Sequence, residues 1–458
     1  MLFVFAGVVA LSGGGSRSDI ASLPFLRAFA VMVAFLALAI TPAAAWRPFR
    51  IPMFLLCALA IWMVVQMVPL PTNLWTSLPG RDLIFAMDGL LGHADRWRPI
   101  SLTPSLTLNS LLSLAVPAAA LLLAAATPAR ARERLWWVIW AFALASSLFA
   151  LMQFIAGPRS VAYLYRITNE GYMVGLFANR NHHALLLALA IPVSSWLIVK
   201  DLIRKTRYPV AIPVLSGSII LFFVLLFITG SRLGLICSVP ALIIAYTVVR
   251  RGCRSRYRPV NQLPGSGSAR KRKLVQILLN AAPIILVTLL GGFIYLAGKA
   301  DSIDRLIGSA DDSAAEMRVA AFGTVLELLQ AQWMFGSGFG SFAKAFQVVE
   351  PDTLLRPSYL NHAHNDWMQL PIEGGLPAVV IVLVAIAWLI VSLASAARYQ
   401  VKTGRGVVAL ELLVVAACFA FLAVGSLVDY PLRQPSIMMI SAFLIVIMIH
   451  NRLDGNGA

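Results

Sequence analysis

Charge is scarce in this sequence. Asp, Glu, Lys and Arg make up 12% of the 458 residues, about half the roughly 25% of a soluble globular domain, and only 20 side chains are acidic. That shortage excludes a protein wrapped in a solvated, charged surface. The 4 cysteines exclude a disulfide scaffold. Cys57, Cys237 and Cys418 fall inside apolar runs and Cys253 in a basic stretch, with no C-x-x-C spacing, so they read as small packing residues. No G-x-S-x-G nucleophile elbow occurs. "FGSGFGSF" (Phe335–Phe342) has the glycines of a phosphate loop. No strand precedes it and no Gly-Lys-Ser/Thr closes it, so it reads as a tight turn that lets backbone approach a site.

Apolar residues fill the space that charge leaves, at 59%. A helix needs about 20 largely apolar residues to cross a bilayer, because its backbone must satisfy every polar group internally. Runs of that kind stand near 1–11, 23–41, 51–68, 106–126, 135–155, 182–199, 210–229, 232–249, 274–298, 367–397, 407–428 and 435–450. They predict an all-α polytopic membrane protein of about twelve transmembrane helices. The first run is short, a tilted span or an interfacial piece. No small-residue cleavage site follows it, which argues against a signal peptide.

Lys and Arg concentrate in alternate loops: Arg47 and Arg50; Arg130, Arg132 and Arg134; Lys200, Arg204, Lys205 and Arg207; nine basic and no acidic residues in 250–273; then Arg398, Lys402 and Arg405. The positive-inside rule puts these loops and both termini in the cytoplasm. The stretch 300–366, with nine acidic against four basic residues, falls outside. Three regions follow. Residues 1–298 carry about nine spans and the basic cytoplasmic loop 250–273, 299–366 form a large external loop with an amphipathic helix, and 367–458 carry about three spans. The net charge of +17 serves topology and contact with anionic lipid headgroups rather than nucleic acid.

A polar group at the mouth of a helix bundle is unfavourable unless paired or wet, so such groups are functional candidates. They gather on the external side. In "FANRNHHA" (Phe177–Ala184) Arg180 and Asn181 stand at the head of a span, with Asn181 as its cap. In "TGSRLG" (Thr229–Gly234) Ser231 caps the next helix and Arg232 sits in its first turn, against the dipole preference unless an anion joins both. "EMRVAAFGTVLELLQAQW" (Glu316–Trp333) reads as one helix begun by Arg318. Its Val319, Phe322, Leu326, Leu329 and Trp333 form a face for the bundle or the headgroups.

In "NHAHNDWMQLPIEGGLPA" (Asn361–Ala378), Asp366 and Gln369 have capping-box spacing. That starts a helix at Asp366, with Asp366 as cap, Asn365 fixing the turn and His364 at the positive helix end, a ready anion site. His362 is expected to face solvent or the loop. The turn "LVDYPLRQPS" (Leu427–Ser436) adds Asp429, Tyr430 and Arg433 before a helix started by Pro435. His362, His364 and Asp366 alternate, and alternate residues share a face only in an extended strand, so no metal is read there. Several arginines, one histidine and helix N-termini outside the membrane suit a diphosphate beside the bilayer.

"TGSRLG", the Glu316–Phe342 block and above all "HAHNDWMQLPIEGGLPA" resemble the O-antigen ligase and polysaccharide polymerase superfamily of bacterial inner membranes. Its signature is a His-Asn pair, nine residues, Gly, two residues, and Gly, Thr or Tyr. Here His364 and Asn365 are followed by nine residues, Gly375, Leu376, Pro377 and Ala378, so only the last position departs. The resemblance covers roughly residues 177–436. It implies a fold of the membrane glycosyltransferase type with one large periplasmic loop. It also implies transfer of a glycan from an undecaprenyl-diphosphate carrier to a glycan or lipid-linked glycan acceptor, without metal or other cofactor. Arg232 and Arg318 match the family's diphosphate-contacting arginines and His364 its catalytic histidine. Asn181, Arg180, His362, Asn365, Asp366, Arg433 and Tyr430 are candidates to line the substrate. "PISLTPSLTLNSLL" (Pro99–Leu112), "FANRNHHA" and "DYPLRQPS" look more like the polymerase branch, for which a chain-length regulator is an expected partner. The alternatives are ligation of finished glycan to lipid A-core and glycosylation of protein Ser or Thr. From another class, a secondary transporter would also have twelve spans. No inverted repeat of broken helices is visible, however, and charges avoid the span centres.

Overall fold

A computed structural model describes residues 1–128, 131, 133–204, 210–256, 313–355, 359–404 and 406–453. The helices are α1 (Leu2–Ser12), α2 (Ser22–Ile40), α3 (Arg50–Met67), α4 (Thr72–Trp75), α5 (Asp82–Leu90), α6 (Pro104–Ser113), α7 (Ala115–Ala125), α8 (Glu133–Ala156), α9 (Arg180–Ile203), α10 (Ala211–Ile228), α11 (Arg232–Arg256), α12 (Ser313–Ala320), α13 (Phe322–Gln332), α14 (Phe342–Val349), α15 (Asp366–Lys402), α16 (Gly406–Val428) and α17 (Pro435–Leu453). Among the described residues the only sheet is a two-stranded one, in which β1 (Pro69–Leu70) pairs antiparallel with β2 (Arg98–Pro99).

Nine helical segments among the described residues are long and apolar enough to cross a membrane, which makes this an all-α multi-pass membrane protein. Of the about twelve expected, nine stand among the described residues. The runs 1–11 and 435–450 form two shorter apolar helices, Leu2–Ser12 and Pro435–Asn451. The run 274–298 lies outside the described residues, with most of the loop 250–273. At 1.5 Å per residue the 11 residues of α1 extend about 16 Å, half a hydrocarbon core.

The chain divides into two compact units that interleave in sequence. The first is Met1–Pro128, Asp312–Ser392 and Ala423–Ile449; the second is Ala129–Asp311, Leu393–Leu422 and His450–Ala458.

In the first unit α2 packs on α1 and α7, and α3 runs along α6. One apolar core joins Ala321, Val325 and Leu328 to Phe342, Ala345 and Phe346 of α14, with Leu360 and Ile372. This corrects the reading of Glu316–Trp333 as one helix begun by Arg318: the stretch is two helices, and Arg318 lies in the last turn of α12. Of its apolar residues, Val319, Phe322, Leu326 and Trp333 are exposed, while Val325 and Leu328 turn inward. Helix α13 is apolar on two sides, and the side facing α14 wins the core.

Helix α15 is broken at Gly375, whose φ is 63°. The break strands carbonyls that a continuous helix would satisfy, and the glycine turn of 335–342 answers them. Ser337 N donates to Ile372 O at 2.8 Å and Gly338 N to Glu373 O at 2.9 Å. Gln66 Nε2 reaches Glu373 O at 2.9 Å, and Trp62 Nε1 donates to Gly374 O at 2.6 Å. The turn lets backbone approach, as read from its glycines. Its other edge is held by the Pro99–Leu112 segment, where Thr107 Oγ1 donates to Phe339 O at 2.9 Å.

In the second unit α8, α10 and α11 surround α9. Every side chain of α9 from His182 to Val199 is buried, as befits a helix apolar all round. Buried Gln153 accepts from Val174 N and Gly175 N and donates to Ala162 O and Gly175 O. It thereby fastens the 157–179 loop to α8.

Candidate functional site

The site in the first unit is built at the head of α15. The helix starts at Asp366, as its sequence implies. Its cap is Asn365, however, not Asp366: Asn365 Oδ1 accepts from Met368 N at 3.2 Å. Asparagine reaches the third amide of the helix from outside, whereas Asp366 is already within the first turn. Gln369 turns its Oε1 back to Ala363 N at 2.9 Å, fixing the approach to the helix.

Between those anchors His364 adopts φ 50°, one of two non-glycine residues with positive φ among those described. Such a backbone is uncommon outside glycine and persists only where surrounding bonds determine it. Here it carries the imidazole to the 429–434 turn. His364 Nδ1 lies 3.0 Å from Asp429 Oδ1, and Asp429 is fully buried. The same oxygen accepts from Tyr430 N at 3.0 Å. With Asp429 ionised and so only accepting, Nδ1 would carry the proton and leave Nε2 as the basic nitrogen.

Tyr430 packs against both histidines, with ring centroids 4.0 Å from His362 and 5.1 Å from His364. His362 therefore does not face solvent. Its Nδ1 bonds Gln369 Nε2 at 3.0 Å. Burial above all, and then the positive charge of Arg433, hold its pKa well below the ordinary histidine range, so His362 is neutral.

Arg433 ties the turn to α15. Its Nε donates to Asp366 Oδ1 at 3.0 Å and its Nη1 to Glu373 Oε2 at 2.8 Å. Burial opposes the guanidinium charge, but the Glu373 and Asp366 carboxylates outweigh it and hold the pKa above the arginine norm. Glu373, fully buried, also accepts from Phe342 N at 3.1 Å and Gln369 Nε2 at 3.0 Å. It joins the start of α14, the head of α15 and the 429–434 turn. Glu373 was passed over in the sequence, although a lone carboxylate inside the apolar "LPIEGGLPA" needs a buried partner and was the available signal.

Among the candidates, His362, His364, Asn365, Asp366, Tyr430 and Arg433 converge in the first unit, which also contains the half-buried Arg318. Arg180, Asn181 and Arg232 belong to the second unit. There Asn179, not Asn181, caps α9, its side chain accepting from Asn181 N at 2.8 Å. Asn181 Oδ1 instead accepts from Ser231 Oγ at 2.8 Å. Ser231 caps α11 as expected, accepting from Gly234 N at 3.2 Å. Arg232, the first residue of α11, is exposed, and the Arg180 guanidinium lies 4.1 Å over the Tyr172 ring. Among the described residues no three His, Cys, Asp or Glu side chains gather as a metal-binding group.

Residues 217–383 match the model of the family described as O-antigen ligase. The matched stretch contains Arg232, Arg318, His364, Asn365, Glu373 and Gly375 and stops short of Asp429 and Arg433. Comparison with curated proteins gives no match.

Proposed function

We propose that this multi-pass membrane protein, which carries an O-antigen ligase family domain over residues 217–383, transfers a glycan from a polyprenyl-diphosphate carrier to a hydroxyl acceptor. The family implies glycan transfer from a lipid-linked donor. The finer assignment rests on one observation, the buried Asp429 carboxylate bonded to the Nδ1 of a histidine held at φ 50°. That pair leaves Nε2 free to take a proton.

The reaction is a displacement at the anomeric carbon. The acceptor oxygen bonds to that carbon, the bond to the diphosphate oxygen breaks, and the acceptor proton goes to His364 Nε2. The electron pair leaves on the diphosphate, with inversion. A glycosyl diphosphate is already activated, so the protein needs chiefly a base and cations for the departing charge. His364 is the base, and Asp429 stabilises the imidazolium that forms. Arg232 and Arg318 take the diphosphate contacts, because guanidinium is always charged and matches phosphate oxygens as a fork. Arg433, engaged by two carboxylates, positions Asp429 rather than touching substrate. We assign polymerisation of lipid-linked repeat units before ligation, on the character of Pro99–Leu112, "FANRNHHA" and "DYPLRQPS". The first of these supports the glycine turn and the last carries Asp429 and Arg433.

The test is single-turnover transfer from a polyprenyl-diphosphate glycan, with donor affinity measured separately. His364→Ala is expected to lower turnover by roughly 10²–10⁴-fold, the range of general base catalysis, with donor binding kept. His362→Ala is expected to lose far less. Equal losses in the two variants, or a His364→Ala defect confined to donor binding, would overturn the base assignment.

A further inference from the structure

Helix α2 carries an arginine, Arg27, five residues after its start at Ser22. At 1.5 Å per residue that is about 7 Å along the axis, inside one of the candidate spans. Its Nη1 donates to Asn109 Oδ1 at 2.7 Å and its Nη2 to Ser113 Oγ at 2.9 Å, both on α6. Helix α6 belongs to another candidate span, Pro104–Ala125.

The surface around this cluster is apolar. Val31, one turn along α2 from Arg27, is 42% exposed, and Leu108 and Leu112, next to Asn109 and Ser113 in α6, are exposed as well. On two membrane-spanning helices such a surface faces acyl chains. Arg27 itself is half-buried, at the seam between α2 and α6.

Both acceptors are neutral. Arg27 makes no ion pair among the described residues, yet a charge at this depth is strongly unfavourable without a counter-charge. A guanidinium has five N–H donors, of which these two bonds use two. Its stem is long enough to lift the head toward the headgroup layer. An anion reaching Arg27 from the lipid side must be carried by a lipid.

We propose that Arg27, Asn109 and Ser113 form a binding site for a lipid-borne phosphate. Asn109 and Ser113 fix the plane of the guanidinium, and its remaining donors take the phosphate oxygens while the acyl chains lie along α2 and α6. The site shares no residue with the chemistry proposed at His364. It is read by binding alone, so its outcome does not depend on the transfer reaction proposed above.

The experiment uses the purified full chain in detergent, titrated with phosphatidylglycerol or phosphatidylcholine and read by native mass spectrometry. Wild-type protein is expected to retain phosphatidylglycerol over phosphatidylcholine. Arg27→Gln is expected to weaken phosphatidylglycerol binding by tenfold or more, and Arg27→Lys by less. Farnesyl diphosphate then separates the sources: displacement assigns the site to a carrier diphosphate, and failure to displace assigns it to phospholipid. Should Arg27→Gln not fold, a photoreactive phosphatidylglycerol bound to wild-type protein must label α2 or α6. Equal binding by wild type and Arg27→Gln, equal retention of the two lipids by wild type, or labelling confined to other helices would overturn the proposal.

Discussion

His362 and His364 are two residues apart and of one chemical type, yet their surroundings divide them. His364 meets a carboxylate, and His362 meets an amide and a phenol ring. The division has a consequence in pH. His362 titrates well below its ordinary value in the folded protein, whereas in the unfolded chain it titrates near about 6.5. Below that value the unfolded state therefore binds more protons, and stability falls as pH falls through the window beneath about 6.5. Thermal unfolding in detergent at a series of pH values is expected to show this slope, and His362→Gln to flatten it. A slope identical in the two proteins would assign the loss to other groups. Arg232 tests a different chemistry. Arg232→Lys keeps the charge but cannot reproduce a forked phosphate contact, so most transfer activity should disappear while the protein still inserts and unfolds at the normal temperature. Near-normal polymer at matched expression would leave Arg232 as a topology determinant only.

At the scale of elements, the break in α15 decides how the site is assembled. A Cβ on Gly375 would lie 2.5 Å from the carbonyl carbon of Phe335, at φ 63° besides. Gly375→Ala must therefore push the glycine turn away from Ile372 and Glu373 and hold a left-handed residue, which by itself costs about 1–3 kcal/mol. We expect a clear fall in unfolding temperature together with loss of activity. Gly323, in α13, meets nothing within 4 Å. Gly323→Ala should leave activity intact and stabilise the helix by up to about 1 kcal/mol. The start of α15, the Ser231 cap and the approach made by the glycine turn were all legible, because caps and turns are local and leave their residue types in order. What was not legible is long-range. Asp429 meets His364 across 65 positions, and Glu373 meets Arg433 across 60. Nothing in sequence order pairs them. Likewise, an arginine in a loop gives no sign in sequence of the carboxylates that engage Arg433. Nor does sequence order choose which side of α13 meets α14, because its apolar residues satisfy helical spacing on both sides.

For the molecule as a whole, sidedness rests on where the 37 Lys and Arg residues fall against the 20 Asp and Glu, and it fixes from which side the site can be reached. Ser337, in the glycine turn, is fully buried with its Oγ donating to Ile372 O at 2.9 Å and cannot report sidedness. Probes follow from contacts. Leu102 N donates to Ser337 O at 2.8 Å and Gln332 Nε2 to Pro79 O at 3.3 Å, so the segment carrying the exposed Asp95 lies on the same side as the glycine turn. Lys402, exposed, is the last residue of α15. The positive-inside rule assigns Asp95 to the outside and Lys402 to the cytoplasm. In a background with the four native cysteines replaced by alanine, Asp95→Cys should react with an impermeant thiol reagent in intact cells. Lys402→Cys should react only after lysis. The reverse pattern would place His364 and Asp429 in the cytoplasm, away from a carrier lipid presented outside, and the proposed reaction would fall with it.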